Sequence, residues 1–138
     1  GGDLSDYAKS KEVSEMFVFL GHVNDPDRVL FGCDVVARPS RIGNPWGREI
    51  LEGMMLGKAA IALGTYQGFV INDETGFLLA NYSPESFAER ITYLADNPAE
   101  THRMGLNAKR LVKEKCNPVA RARDLAITWH AAVDSRKL

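Results

Sequence analysis

The stretch PSRIGNPWGREILEGMMLGK, residues 39–58, connects two predicted strands and sets the topology of the chain. Its first half, residues 41–47, is rich in Gly and Pro and predicts a loop. Residues 48–56 then place apolar side chains at helical spacing, before a glycine that suits the end of a helix. The apolar runs on either side, Asp34–Arg38 and Ala59–Leu63, predict strands. A strand, a loop, a helix and a strand in this order predict two parallel strands joined by a right-handed crossover.

Three shorter signals extend this unit in both directions. The apolar run Met16–Leu20 ends at a glycine and predicts a buried strand. Asp25-Pro26-Asp27 predicts the start of a short helix, because proline is tolerated in the first turn. Gly76–Leu79 predicts one more short strand. A parallel sheet of three or four strands is thin, so we expect its first strand to lie before residue 1.

Three consecutive amphipathic helices are predicted to follow the strands. Each begins with a capping residue and a proline, at Ser83-Pro84, Asn97-Pro98 and Asn117-Pro118. Apolar side chains recur at helical spacing behind each cap; the last stripe comprises Ala122, Leu125, Ala126, Trp129 and Val133. The sequence therefore predicts an α/β fold, in which a Rossmann-like parallel sheet is flanked by helices and followed by three helices in succession.

The composition is that of an ordinary globular domain, with 45% hydrophobic and 25% charged residues among 138. No apolar run is long enough for a transmembrane helix. Cys33 and Cys116 lie far apart and form no disulfide framework, which fits a reducing, cytoplasmic location. The three histidines are scattered, so we predict no bound metal. The chain begins Gly1-Gly2-Asp3 without an initiator methionine, and we expect a piece of a longer protein or a processed chain.

Charge is unevenly distributed along the chain although the net charge is only −1. A balance this close to zero argues against a nucleic-acid partner. Residues 103–123, however, carry seven basic side chains and a single acidic one, Glu114. Two interpretations stay open for this basic segment: a solvated helix face, or a surface that faces another domain or the periphery of an anionic membrane.

The loop and helix at residues 41–56 form the segment where a ligand is most readily predicted. In parallel sheets, ligands bind beyond the carboxyl ends of the strands. A helix N-terminus behind a Gly-containing loop offers backbone N–H groups and a positive dipole end, which suit phosphate. Glu52 lies one turn into this helix, where its carboxylate can accept hydrogen bonds from both hydroxyls of a ribose. The alternative is that Glu52 is a solvated surface residue, as isolated glutamates commonly are.

Taken in order, these segments resemble the C-terminal, nucleotide-sugar-binding domain of GT-B-fold glycosyltransferases, specifically retaining family 4 (glycosyl transferases group 1). The resemblance covers nearly the whole chain and is carried by FVFLG (17–21), CDVVARPS (33–40), GREILEGMMLGKAAIA (47–62), TGFL (75–78) and the helical tail that begins at residue 83. It implies that residues 1–138 are a single donor-binding domain, the C-terminal half of a GT-B fold. It also implies that the N-terminal acceptor domain is missing from this chain.

The resemblance assigns roles to individual residues. The family signature is a pair of glutamates eight positions apart, and the second, which binds the donor ribose, falls on Glu52. The first, which contacts the donor sugar, falls on Asn44, so this chain loses a negative charge there. Further roles are implied for the sugar- and phosphate-binding residues Pro45, Trp46, Gly47 and Arg48, for the base-binding residue Val23, and for a loop near the donor with Gly64, Thr65 and Gly68. The glutamate that usually follows this loop in the family is not evident.

The resemblance implies that the full-length protein is a hexosyltransferase. Such an enzyme transfers a sugar from a nucleotide diphosphate sugar, such as a UDP-, GDP- or ADP-sugar, to an acceptor with retention and without a metal or other cofactor. The family's diphosphate-binding Arg and Lys lie upstream of this segment, so we expect the fragment alone to be inactive and assign no catalytic residue. Two alternatives stay open: a non-catalytic module that binds a nucleotide or a partner protein, which the loss of the first glutamate favours, and a GT-B sugar-nucleotide epimerase.

Overall fold

The computed structural model describes residues 3–45 and 47–135 as an alternation of helices and strands. The elements are α1 (Leu4–Ser10), a 3₁₀ turn (Ser14–Met16), α2 (Pro26–Phe31), β1 (Val35–Arg38), α3 (Arg48–Met55), β2 (Ala59–Leu63), β3 (Gly76–Leu79), α4 (Pro84–Asp96), α5 (Pro98–Lys115) and α6 (Pro118–Asp134). The three strands predicted after residue 33 are confirmed within one residue. The helices predicted to begin at prolines do begin there, because proline in the first turn needs no hydrogen-bond acceptor.

The strands form one parallel sheet in the order β1-β2-β3, which confirms the predicted α/β class. In its register, Val36 lies opposite Ala60 and Ala62 lies opposite Leu78. All five residues of β2 are buried, because this central strand is covered on both faces. The helix α3 makes the crossover between β1 and β2, so the loop before α3 lies at the carboxyl edge of the sheet.

Two apolar clusters hold the helices to the two faces of the sheet. On one face, α3 and α5 contribute Ile50, Met54, Ala108 and Val112 to a cluster with β-strand side chains. Close approach of α3 to β1 depends on Gly53, because a Cβ there would lie 2.8 Å from a methyl group of Val36. The other face is covered by Phe87 and Leu94 of α4 and by Met104 of α5. This packing fixes α3, and with it the predicted ribose-binding position, relative to the sheet.

The prediction of a buried strand at Met16–Leu20 is wrong. Met16 ends the 3₁₀ turn, and residues 17–20 are irregular, with side chains between 48% and 84% exposed. A strand forms only where a neighbouring strand completes its backbone hydrogen bonds. Within the described residues, the sheet consists of β1, β2 and β3, and none of these strands pairs with residues 17–20.

The C-terminal helix α6 forms as predicted but does not pack its apolar stripe. The side chain of Asn117 caps it by accepting a hydrogen bond from the Ala120 backbone N–H at 3.0 Å. None of the residues of α6 is buried, and Trp129 in the middle of the stripe is 64% exposed. The sequence pattern thus predicts the helix correctly, but no described element covers the face it presents.

Among the described helices, none combines the length and the apolar character that a membrane crossing requires.

Candidate functional site

The loops that follow β1 and β2 meet at the carboxyl edge of the sheet. Pro45 is buried, and it packs against Gly64 so closely that a Cβ on Gly64 would lie 2.7 Å from Cδ of Pro45. Gly64 also has a φ of +147°, a backbone conformation that favours glycine. The contact holds residues 41–45 and 47 against the loop at residues 64–68, so two of the predicted ligand loops are adjacent.

The N-terminus of α3 emerges directly from this pair of loops. Gly47 is the N-cap, in an extended conformation, and as a glycine it has no side chain with which to cap the first turn. The first N–H groups of a helix have no partner within it, so those of α3 can donate to an anion or to water. Glu49 is the acidic residue of this first turn.

Arg38, at the end of β1, links the strand, the loop and the helix. Its Nε donates a hydrogen bond to the backbone carbonyl of Asn44 at 3.2 Å, and its Nη1 forms an ion pair with Glu49. Sequence reasoning missed this arginine. The available signal was a charged side chain ending the otherwise apolar run Val35–Arg38, directly before the predicted ligand loop.

Glu52 is partly exposed and forms an ion pair with Arg48. The Nε of Arg48 donates to Oε1 of Glu52 at 3.1 Å, while the Arg48 side chain itself is 90% exposed. Exposed pairs of this i, i+4 type contribute only about 0.3–0.5 kcal/mol. A ligand hydroxyl can therefore displace Arg48 from the Glu52 carboxylate at little cost.

Two shallow clefts lie beside α3 and share Arg48 and Leu51 as a common wall. One, of about 410 Å³, is lined by Asn44, Gly47 and the shared pair. The other, of about 350 Å³, lies between α2, α3 and α5 and is lined by Glu52, together with Asp27, Met55, Leu56, Val112 and Cys116. Both volumes fall within the range of small-molecule sites. A ligand that spans the shared wall would contact the loop and Glu52 together.

The loop at residues 64–68 is stabilised by Tyr66 from within the loop and by Lys115 from α5. The Tyr66 ring folds over Gly68, where any side chain would collide with it. Lys115, at the end of α5, donates from Nζ to the Gly68 carbonyl at 2.7 Å and lies over the Phe69 ring. The sequence offers no signal for this contact, because Lys115 is 47 positions from Gly68.

The remaining predicted residues that the structure describes do not line the two clefts beside α3. Thr65 is exposed in its loop, and Val23 is partly buried in the irregular segment before α2. Val23 lines neither cleft beside α3. Trp46, which is also predicted to contact the donor, lies outside the described residues. The structure therefore brings together Asn44, Pro45, Gly47, Arg48, Glu52 and Gly64, and it leaves Val23 apart from them.

A larger hollow lies at the opposite end of the sheet. It has a volume of about 730 Å³ and is lined by residues that include Asp34, Lys58 and His102. Asp34 and Lys58 directly precede β1 and β2, so this hollow lies at the amino ends of the strands. Because ligands of such sheets bind at the carboxyl ends, we place the functional site beside α3.

Three groups with shifted pKa values lie on α4 and α5, outside this site. A hydrogen bond from Arg103 lowers the pKa of Glu100, and the same contact raises the pKa of Arg103. The pKa of Glu85 is lowered, first by a backbone hydrogen bond and then by one from Ser83. Glu85, Glu100 and Arg103 lie near the starts of α4 and α5, so their pKa shifts arise from local helix contacts and not from the candidate site.

The parallel sheet with helices on both of its faces is the fold of a GT-B glycosyltransferase domain. The sequence profile of the family described as Glycosyl transferases group 1 matches residues 3–111, and the chain belongs to this family. The predicted resemblance to glycosyl transferases group 1 is thereby confirmed.

Three known proteins are similar to the chain over most of its length. Alpha-1,3/1,6-mannosyltransferase ALG2 of Dictyostelium discoideum is 30% identical over an alignment of length 118, which covers 82% of this chain and 27% of that protein. The crystal structure of HepE from Anabaena in complex with UDP superposes with a TM-score of 0.85 at 25% identity, over 93% of this chain and 36% of that chain. Sucrose-phosphate synthase from Thermosynechococcus elongatus has a TM-score of 0.84 at 23% identity, over 96% of this chain and 34% of that one, and shows the fold alone. The chain thus spans about a third of the length of these proteins or less.

Proposed function

We propose that the chain is the donor-binding part of a glycosyltransferase, which transfers a hexose from a nucleotide diphosphate sugar to an acceptor with retention. The observation that carries this proposal is the arrangement beside α3, where an uncapped helix start, a Gly-containing loop and Glu52 line two adjoining clefts. Membership of the family supports it. Further support comes from HepE, which was crystallised with UDP and with UDP-glucose, and from ALG2, which is a mannosyltransferase.

Each part of the donor has a counterpart in this arrangement. Glu52 accepts hydrogen bonds from the ribose hydroxyls, as its partly exposed carboxylate and weakly held partner allow. The N–H groups at the start of α3 and the Arg48 guanidinium face the distal phosphate, where negative charge grows as the sugar leaves. Asn44 contacts the sugar. The base is assigned to the main chain of Val23 by the family resemblance alone, since Val23 lines neither of the two clefts.

Catalysis on this proposal comes from stabilising the leaving diphosphate and from orienting the sugar toward the acceptor. The acceptor domain and the upstream Arg and Lys that the family uses on the diphosphate would complete the enzyme. We therefore do not expect sugar transfer by this chain alone. No protein group in the described residues is assigned as a catalytic base.

A non-catalytic nucleotide-binding module is the second candidate, and Asn44 is the observation that favours it. The carboxamide of Asn44 still donates and accepts hydrogen bonds, but it cannot stabilise positive charge on a reacting sugar as a carboxylate can. The two candidates predict the same nucleotide binding and differ in turnover. Sugar transfer by the full-length protein would establish the enzyme, while donor binding without any turnover would establish the module.

The variant Glu52→Gln tests the site that both candidates share. It keeps an acceptor oxygen but removes the charge from hydrogen bonds that are worth about 1.5–3 kcal/mol when charged, so we expect nucleotide affinity to fall about tenfold or more. Binding of UDP, GDP and ADP to the full-length protein should be measured by calorimetry or by NMR shifts. Glu89→Gln, on the exposed side of α4, is the matched control. If Glu52→Gln binds as tightly as the control, the ribose assignment is wrong.

A further inference from the structure

We propose that Arg38 is a positioning residue for the diphosphate of the donor. This inference rests on the proposed function and adds a residue to which the family resemblance assigns no role. Arg38 ends β1 and its side chain is only 29% exposed, so it lies beneath the loop rather than in open solvent. From there it contacts both the loop and the first turn of α3, the two elements that would face the phosphates.

The two contacts of Arg38 fix the loop relative to the helix. The Nε–H donates to the Asn44 carbonyl at 3.2 Å, which holds the loop backbone to the end of the strand. The Nη1 pairs with the Glu49 carboxylate, which holds the first turn of α3 to the same point. An arginine is suited to this task because its planar guanidinium donates in several fixed directions at once.

The ion pair also lies directly over the backbone of Gly47. A Cβ built on Gly47 would be 2.8 Å from Nη1 of Arg38 and 2.8 Å from Oε1 of Glu49. Gly47 is the residue before the first N–H groups of α3. The pair therefore sets the direction in which these N–H groups point, which determines how well they can donate to a phosphate.

Arg38 has an electrostatic role in addition to the geometric one. Glu49 places a negative charge in the first turn of α3, where a diphosphate would also lie. Without Arg38 this carboxylate would repel the phosphates at short range, where partial burial reduces screening. With Arg38 in place, the pair is neutral and the positive end of the helix dipole acts on the ligand.

A comparison of two ligands separates this role from ordinary structural support. A nucleoside engages Glu52 but has no phosphate, while the nucleoside diphosphate engages both Glu52 and the start of α3. We expect Arg38→Ala in the full-length protein to weaken binding of GDP or UDP about tenfold. The affinity for guanosine or uridine should stay within about twofold. The double variant Arg38→Ala/Glu49→Gln should recover part of the lost affinity, because it removes the uncompensated carboxylate.

Two further variants complete the experiment. Arg38→Lys keeps the charge beside Glu49 but cannot make both contacts, so its diphosphate affinity should lie between those of wild type and Arg38→Ala. It also provides the test if Arg38→Ala does not fold. Arg41→Ala is the matched control, because it removes a cation from the same loop that stacks on Tyr82 instead. It should change diphosphate affinity by less than about twofold.

The outcomes distinguish this inference from the proposed function. Equal losses of nucleoside and diphosphate affinity in the Arg38 variants would show a merely structural role and overturn the inference. So would no loss for either ligand while Glu52→Gln weakens both. If Glu52→Gln leaves both affinities unchanged, the proposed function fails whatever the Arg38 variants do.

Discussion

The contact between Pro45 and Gly64 offers a direct test of how the site is assembled. Replacing Gly64 by alanine would place a Cβ 2.7 Å from Cδ of Pro45, so one of the two loops must move. Overpacking of this kind costs about 1–3 kcal/mol. The backbone at Gly64, with φ at +147°, adds strain of about 1–3 kcal/mol for any side chain. We therefore expect Gly64→Ala to lower the free energy of unfolding by roughly 2–6 kcal/mol.

Thermal unfolding of the chain measures this loss. At about 3 °C per kcal/mol for a domain of this size, the midpoint should fall by roughly 6–18 °C. Gly43→Ala is the matched control in the partner loop, because Gly43 has φ at +61° but no atom within 4 Å of the added Cβ. It should show backbone strain alone, about 1 kcal/mol. Equal midpoints for the two variants would refute a role for the Pro45 contact.

Two further predictions concern the scaffold around the site. Thr75 is fully buried, and its Oγ1 donates to the Phe69 carbonyl and accepts from the Ile71 N–H, both at 2.8 Å. Thr75→Val removes both of these hydrogen bonds from a buried side chain, so the free energy of unfolding measured in urea should fall by about 1–3 kcal/mol; an unchanged value would contradict this account. The pKa of Glu100 is lowered by its hydrogen bond from Arg103. This hydrogen bond therefore stabilises the fold at pH values above the ordinary glutamate pKa, and the stabilisation is lost as the pH falls through the lowered pKa of the folded state. The difference in midpoint between wild type and Glu100→Gln should therefore shrink in acid, and a difference that is constant with pH would rule out this linkage.

Most of the sheet and all the proline-initiated helices are predictable because their signals are local. The prolines at 84, 98 and 118 each follow a residue that suits an N-cap, and Ala59–Leu63 is apolar throughout because the central strand is covered on both faces. The run Met16–Leu20 has an equally clear local pattern but forms no strand. Its outcome depends on a neighbouring strand that no local pattern reveals.

The contacts that assemble the site are not local, so the sequence could indicate its members but not their geometry. Pro45 and Gly64 each suit a loop, but nothing in their surroundings predicts that one packs on the other. Lys115 reaches Gly68 from the end of a distant helix. The Glu52 position was predictable because it follows from helical spacing behind a loop, which is a local property.

On the proposed function, asparagine at position 44 would change the chemistry of the site without changing its shape. The loop is held by the Asn44 backbone carbonyl, which accepts from Arg38, and by the ring of Pro45 against Gly64. Neither contact uses the side chain at position 44, which is exposed. Loop geometry is therefore independent of whether that side chain is a carboxylate or a carboxamide. On the proposed function, the enzyme and the non-catalytic module would therefore differ in the charge beside the donor sugar, because the loop geometry is the same for both.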